Sequence, residues 1–251
     1  MLPVAGGLSS ILQPLIDVAN SIIKFFYDNV YASWGVAIIF LTVVTRLAIL
    51  PLSLKQIRSM RSLKAHQPEI KRIQERYKDD RQRLQRELMA FYQENKINPF
   101  ASCVPLLLQL PVFFALFSLL RSDEFKTEIH AAGSNPAFLG VTLDEKATGA
   151  ALIILIALYF VTMVGSTSVM AASAEGNQRL MMYALPVVFT PFVINFPAGL
   201  VVYWITTNVW TMGQQWVVKQ LIPPPPKPTE EVAKATKAPP PPPRKRKKRR
   251  R

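Results

Sequence analysis

Five stretches of this chain are nearly free of charged residues, and each is about as long as a helix that crosses a bilayer. A membrane helix needs roughly 20 residues at about 1.5 Å of rise per residue. The sequence therefore predicts an all-α membrane protein with five transmembrane helices. The predicted spans, numbered 1 to 5 in chain order, are 34–54, 101–120, 148–169, 180–196 and 199–218.

Lysine and arginine lie mainly on one side of these spans. Residues 55–96 and 219–251 contain twelve basic residues each, and Arg179 lies on the same side. The opposite side contains four, which are Lys24, Arg121, Lys126 and Lys146. Because basic residues are retained in the cytoplasm, we expect the N-terminus outside and the C-terminus in the cytoplasm.

The segments outside the spans have distinct patterns. Residues 1–33 predict an outer amphipathic helix, which lies on the membrane surface or packs its apolar face on the bundle. Residues 55–100 predict a cytoplasmic two-helix hairpin, either a solvated connector or a docking arm for partners. Residues 121–147 and 170–179 are predicted outer and inner loops. The Pro-rich, basic segment 219–251 is predicted to be a disordered cytoplasmic tail.

Arg46 is the most informative single residue, because no carboxylate lies in any of the five apolar runs to pair with it. A charge near mid-membrane costs roughly 3 kcal/mol and usually marks a hydrated path or cavity. Arg46 lies about 13 Å from Lys55 along a helix. Further polar and aromatic side chains fall in the spans, several of them toward the cytoplasmic ends. The candidate groove residues are Arg46, Thr42, Thr45, Gln109, Thr162, Ser166, Tyr203, Trp204, Asn208, Thr211 and Gln215.

This pattern predicts a water-filled groove that is open to the cytoplasm and closed to the outside. Three other interpretations stay open. Arg46 could reach the inner lipid headgroups, the small polar residues could form ordinary interhelical hydrogen bonds, and Tyr203 with Trp204 could belong to an interfacial aromatic belt.

The sequence contains no pattern for enzyme chemistry. Cys103 is the single cysteine, and His66 and His130 each lie alone in polar segments. Phosphate-binding loops, HExxH and GxSxG are absent from the sequence. We therefore expect no catalytic residues, no cofactor and no metal.

Several motifs in their order resemble the YidC family of membrane-protein insertases. The motifs are Thr45-Arg46-Leu47-Ala48-Ile49-Leu50-Pro51-Leu52, the charged segment after it, Leu108 to Phe117, and Phe196-Pro197-Ala198-Gly199-Leu200-Val201-Val202-Tyr203-Trp204. The resemblance covers roughly residues 30 to 220. It implies a multi-pass protein of the bacterial inner (plasma) membrane that inserts nascent membrane proteins, alone or beside the Sec translocon.

The resemblance also suggests roles for individual residues. Arg46, with Thr45 beside it, matches the family's groove arginine, Trp204 after Tyr203 matches its aromatic position, and Gln109 fits its polar position in the second span. The chain departs from some relatives in having no large outer domain before the first span and no glutamine in the third. Two other functions remain open from the residues: a transporter of small anionic solutes or lipids, and a noncatalytic membrane assembly scaffold.

The chain ends in eight consecutive cations, which can bind ribosomal RNA or anionic lipid or act only as an orientation signal. Because the family inserts chains during synthesis, ribosome binding is the preferred hypothesis. The residues are Arg244, Lys245, Arg246, Lys247, Lys248, Arg249, Arg250 and Arg251.

Overall fold

The described part of the chain is almost entirely helical. A computed structural model of the protein describes residues 4–30, 33–95, 97–98, 104–171 and 176–221. This confirms the predicted all-α class. The elements in chain order are α1 (Val4–Asn29), α2 (Trp34–Ala65), α3 (Gln67–Arg76), α4 (Arg81–Glu94), α5 (Val104–Arg121), α6 (Asp123–Ile129), β1 (Ala137–Phe138), β2 (Val141–Thr142), α7 (Gly149–Ala171), α8 (Gly176–Val193) and α9 (Ala198–Leu221).

Two helical stretches, Trp34–Leu63 and Gly149–Ala171, have the length and composition to cross a membrane. Shorter apolar helices cover Leu107–Arg121 and Arg179–Val193. These findings concern only the described residues. The number of spans and their orientation therefore stay predictions.

The chain divides into two compact units, 1–57 with 100–223 and 58–99 with 224–251. In the first unit, α7 packs along α9 and against α8, and α1 packs along α5. α1 turns its apolar side inward, with Ile23 fully buried and Phe26 stacked on Phe40 of α2 at 4.5 Å between ring centroids. Within residues 12–30, where the side chains are described, the apolar face of α1 thus packs on the bundle, and its position relative to the membrane stays a prediction.

The 121–147 segment contains α6 and a β-hairpin that the sequence did not predict. β1 and β2 pair antiparallel around Leu139 and Gly140, both with positive φ, which suits a tight two-residue turn. The segment is joined to the start of α9, where Ala198 N donates to Glu145 O at 2.7 Å and Gly199 N to Leu143 O at 2.8 Å. A Cβ on Gly199 would lie 3.0 Å from that carbonyl oxygen, so a glycine suits this approach.

Side chains also join the 121–147 segment to α1 and α2. Trp34 Nε1 donates to Ser134 Oγ at 2.7 Å, and the Trp34 ring meets Phe125 edge-on. Lys24 forms an ion pair with Glu128, and this hydrogen-bonded contact raises the pKa of the lysine. The segment is therefore a packed part of the first unit.

In the second unit, α3 and α4 pack through a small apolar cluster centred on Ile70, Phe91 and Ile97. Pro68 lies in the first turn of α3, and Asp80 caps α4 by accepting from Arg83 N at 2.9 Å. α2 continues eleven residues past the predicted end of the first span, to Ala65, because residues 55–65 contain neither Gly nor Pro. Among the described residues of the 55–100 segment, residues 55–65 thus belong to α2, and only α3 and α4 are separate helices.

Candidate functional site around Arg46

Arg46 lies midway along α2 with its side chain partly buried. Its Nη2 donates to Gln109 Oε1 on α5 at 2.8 Å, and Gln109 Nε2 in turn donates to the hydroxyl of Tyr203 on α9. Tyr203 is almost completely buried. The sequence-predicted residues Arg46, Gln109 and Tyr203 therefore form one hydrogen-bonded chain across three helices.

The positive charge of Arg46 is not neutralised by a carboxylate of any described neighbour. Among the residues that the structure describes, Arg46 forms no salt bridge. A guanidinium has five N–H donors, and the bond to Gln109 uses one of them. The arrangement holds a cation in a fixed position and can present further donors to an anion.

Thr42 and Thr45 satisfy their hydroxyls within their own helix. Thr42 Oγ1 donates to Ile38 O and Thr45 Oγ1 to Thr42 O, each at 2.8 Å. Thr42 is fully buried, and Thr45 lies beside Arg46 and is partly buried. Their hydroxyls can accept a further hydrogen bond but their protons are already used.

A second polar cluster lies between α7 and α9. Asn208 Nδ2 donates to Thr162 Oγ1 at 3.5 Å, and Ser166 Oγ donates to Asn208 Oδ1 at 3.4 Å. Both distances are at the long end for hydrogen bonds. The single hydroxyl protons of Thr162 and Ser166 also have carbonyl acceptors within their own helix at 2.7–3.0 Å, so the Ser166 proton is shared between Met163 O and Asn208 Oδ1. The cross-helix bonds of Asn208 are thus the weaker ones.

Trp204 does not join either polar cluster. Its ring stacks on Phe113 at 5.4 Å with an interplanar angle of 12°, and Phe196, Phe189 and Tyr159 surround it at 5.4–5.9 Å between centroids. This aromatic cluster of α5, α7, α8 and α9 was missed by the sequence reasoning. The four-residue spacing of Phe113 and Phe117 was the available signal.

The remaining predicted residues are less closely tied to Arg46. Thr211 Oγ1 donates to Thr207 O at 2.8 Å, and Gln215 is partly buried further along α9. Thr207 is buried with a hydroxyl that has no hydrogen-bond partner among the described residues. Arg244 to Arg251 lie outside the described residues.

His130, predicted to stand alone, lies with Nε2 3.2 Å from the buried Asp144. Groups of three or more His, Cys, Asp or Glu residues that could hold a metal are absent from the part of the chain that the structure describes.

Residues 25–225 match the family model of the 60Kd inner membrane protein. The chain belongs to this family, to which the YidC insertases also belong. Among YidC relatives, a protein of Streptomyces avermitilis named membrane protein insertase YidC is 38% identical over an alignment of 228 positions, and the match covers 78% of this chain and 53% of that protein. A protein of the same name from Oleidesulfovibrio alaskensis is 40% identical over 213 residues, 84% of this chain and 38% of that protein.

A solved YidC structure supports the same fold. A crystal structure described as an active YidC insertase with its first transmembrane domain resolved matches with a TM-score of 0.61 at 25% identity. The match covers 82% of this chain and 45% of that one. The chain thus spans about half or less of the length of these YidC proteins.

Proposed function

We propose that this chain is a membrane protein insertase, which receives nascent membrane proteins in a hydrated, positively charged groove and releases them sideways into lipid. The observation that carries the proposal is the Arg46–Gln109–Tyr203 chain, which holds a partly buried cation on an apolar helix. The insertase names of the YidC relatives support the same function.

The proposal includes a topology. α2, α5, α7, α8 and α9 cross the membrane, with the N-terminus outside and the C-terminus in the cytoplasm. α1 lies on the outer side, and α3 with α4 forms a cytoplasmic hairpin. The excess of Lys and Arg in 55–96 and 219–251 supports this orientation.

The groove lowers the cost of moving a client's polar segment. A client segment that must cross, often short and acidic, enters the groove from the cytoplasm. There Arg46 donates charge-assisted hydrogen bonds to its carboxylates, which offsets part of their desolvation. The segment then has only the outer half of the bilayer left to cross.

The second polar cluster serves the client backbone. Because the cross-helix bonds of Asn208 are long, its amide can exchange them for a client's peptide groups at small cost. Thr162 and Ser166 line the same part of α7. Tyr203 and Trp204 support the groove from α9, and Thr211 and Gln215 extend its polar side toward the cytoplasm.

Transfer of the client's apolar segment into lipid supplies the driving force, at roughly 25 cal/mol per Å². The segment leaves along the lipid-facing sides of α7 and α9. Because no covalent bond is made or broken, this mechanism requires no catalytic residue, nucleotide, metal or other cofactor. The Sec translocon and, through the basic tail, the ribosome are its expected partners.

The test is insertion into proteoliposomes of a client with an acidic N-terminal tail, measured by protection from added protease. We expect Arg46→Ala to lower insertion about tenfold, because a hydrogen bond to a charged group contributes roughly 1.5–3 kcal/mol. A client with a neutral tail should be affected little. Arg121→Ala, which removes a cation at the end of α5, is the matched control.

Equal insertion by Arg46→Ala and the unmodified chain would contradict the proposal and favour the scaffold. Saturable uptake of a small anion into the same vesicles, without client insertion, would instead favour the transporter. Crosslinks from Asn208 to a client during translation are expected if the client passes between α7 and α9.

A further inference from the structure

An apolar cavity lies between α2 and α9, beyond Arg46 in the direction in which both helices run. Its volume is ≈ 510 Å³ and almost all of its lining atoms are apolar. Leu50 lies about one turn after Arg46 on α2. The lining includes Leu50, Leu54, Trp210, Gly213, Val217 and Leu221.

The dimensions of the cavity fit one extended hydrocarbon chain. From Trp210 to Leu221 the helix rises about 16 Å, which is close to half of the roughly 30 Å hydrocarbon core of a bilayer. The cavity is partly open to the outside, since the lining residues Trp216 and Leu221 are 65% and 75% exposed. An acyl chain can therefore enter it from the side.

The chemistry of the lining also favours an acyl chain over an extended peptide. A peptide buried there would need partners for its backbone N–H and C=O groups. Trp210 Nε1 already donates to Gln214 Oε1 at 2.9 Å, so the polar groups left in the lining are few, mainly the Gln214 amide nitrogen and the Trp216 indole. An acyl chain has no polar group to satisfy along its length.

Two lysines adjoin lining residues of the cavity in the sequence. Lys55 follows the lining residue Leu54, and Lys219 follows Val218, which also lines the cavity. Both lysines are exposed, and Trp216 beside them is 65% exposed. Tryptophan and lysine at the end of an apolar helix are typical of the headgroup level of a membrane.

We propose that this cavity is a binding site for an anionic phospholipid of the cytoplasmic leaflet. One acyl chain fills the space between α2 and α9, and the phosphate lies between Lys55 and Lys219. The lipid closes the gap between these helices beside the Arg46 site. The inference rests on the placement of α2 and α9 across the membrane in the proposed function.

The test uses the full chain in lipid nanodiscs and the fluorescence of Trp210 and Trp216. Phosphatidylglycerol or phosphatidylcholine with brominated acyl chains is added at equal mole fraction, since bromine quenches a tryptophan that it touches. We expect phosphatidylglycerol to quench at a lower mole fraction, by about fivefold for each lysine. Trp210→Phe and Trp216→Phe together identify the part of the signal that arises in the cavity, because Trp34 and Trp204 also fluoresce.

Variants separate the acyl-chain site from the headgroup site. A Cβ at Gly213 meets no atom within 4 Å, so Gly213→Leu starts a side chain in open space at the cavity, and Gly213→Ala is its matched control. Gly213→Leu should reduce quenching by both lipids. Lys55→Gln with Lys219→Gln should remove the preference for phosphatidylglycerol, and Lys126→Gln on α6 should keep it.

Equal quenching by the two lipids in the unmodified chain would overturn the proposal, as would full quenching in Gly213→Leu. Loss of client crosslinks at Trp216 in Gly213→Leu, with lipid quenching unchanged, would assign the cavity to the client and also overturn it. Lipid quenching is read without a client. If the preference for phosphatidylglycerol is intact but Arg46→Ala does not lower client insertion, only the insertase proposal is overturned. If Arg46→Ala lowers insertion but the lipid preference is missing, only the lipid site is overturned.

Discussion

Gln109 is the residue that connects the charge of Arg46 to the buried end of Tyr203. Its side-chain oxygen accepts from the guanidinium while its nitrogen donates to the phenol oxygen. An amide side chain offers an acceptor and a donor on separate atoms without bringing a charge. Gln109 therefore positions Arg46 and leaves its positive charge intact.

Two substitutions at Gln109 should separate position from charge. Gln109→Glu places a carboxylate beside Arg46 and neutralises it, so we expect insertion of an acidic client to fall about tenfold, as in Arg46→Ala. Gln109→Leu keeps the charge but loses the hydrogen bond that positions Arg46, which is worth about 0.6 kcal/mol in a membrane, so insertion should fall about threefold.

Insertion of clients with tails of graded negative charge measures both effects at Gln109. A Gln109→Glu variant as active as the unmodified chain would show that client carboxylates do not meet the guanidinium. Neutral-tailed clients serve as the control, since they should insert equally well with both variants.

At the residue scale, the sequence predicted which side chains are polar within the helices but not which of them meet. Arg46, Gln109 and Tyr203 were predicted as members of one groove, and the structure joins them. Trp204 was placed in the same set, yet it packs among aromatic rings. Successive residues of a helix point about 100° apart, so neighbours in sequence face different helices, and only the tertiary structure identifies those helices.

At the scale of elements, α9 divides its polar residues between two neighbours. Tyr203 meets α5 through Gln109, while Asn208 meets Thr162 and Ser166 of α7. A small residue lies where α7 approaches α9, since a Cβ on Gly165 would lie 2.8 Å from Met212 Sδ and the methionine side chain would have to shift. Small residues at such crossings are typical of helix pairs in membranes.

Gly35, near the start of α2, should be the glycine most sensitive to substitution among those described. A Cβ there would lie 2.1 Å from the ring of Phe138 in β1, so Gly35→Ala must displace the hairpin. We expect destabilisation by about 1–3 kcal/mol, seen as a lower thermal midpoint in detergent.

Gly213→Ala is the matched control for Gly35→Ala, because its Cβ enters open space in the interior of a helix. It should stabilise the protein by up to about 1 kcal/mol through helix propensity. Equal thermal midpoints for the two variants would contradict the packing of Phe138 on Gly35.

The longer helices were predictable at this scale and the short elements were not. Apolar runs of about 20 residues gave the positions of α5, α7, α8 and α9 within a few residues of their ends, and they gave the start of α2 but not its end, which lies eleven residues further on. α6 has seven residues and each β-strand has two, which is too short for a periodic pattern to appear. Their formation depends on contacts such as Trp34 with Ser134, which lie a hundred residues apart.

At the scale of the whole molecule, the two units differ in how much apolar surface they bury. The unit containing α3 and α4 has three buried apolar side chains in its cluster, Ile70, Phe91 and Ile97, against the continuous core around α9 in the other. A small core gives a low local stability. We therefore expect faster amide hydrogen exchange in α3 and α4 than in α7 and α9.

The basic tail should contribute a salt-dependent affinity for ribosomes. A chain that ends at Ile222, or a full-length chain with Arg244 to Arg251 replaced by glutamine, should lose most ribosome co-sedimentation at low salt. The physical reason is counterion release, because each cation that contacts a phosphate displaces a bound ion. Raising the salt concentration should weaken ribosome binding by the unmodified chain. It should change the residual binding of the variants little.

Unchanged ribosome binding by both tail variants would remove the tail as the contact. Flotation with anionic vesicles tests the other possibility, which is that the tail binds anionic lipid. If the glutamine variant loses vesicle binding and keeps ribosome binding, the eight cations serve as a lipid anchor.

The backbone bonds that hold the start of α9 have a mechanical consequence. Ala198 and Gly199 are tied to the carbonyls of Glu145 and Leu143, whereas α9 runs on for about 33 Å beyond them. A rod clamped at one end swings most at the other, so bending of α9 leaves Tyr203 nearly still and moves Leu221 farthest. The part of α9 that contacts the Arg46 site through Tyr203 can thus stay rigid. Its C-terminal end can move aside for a passing client.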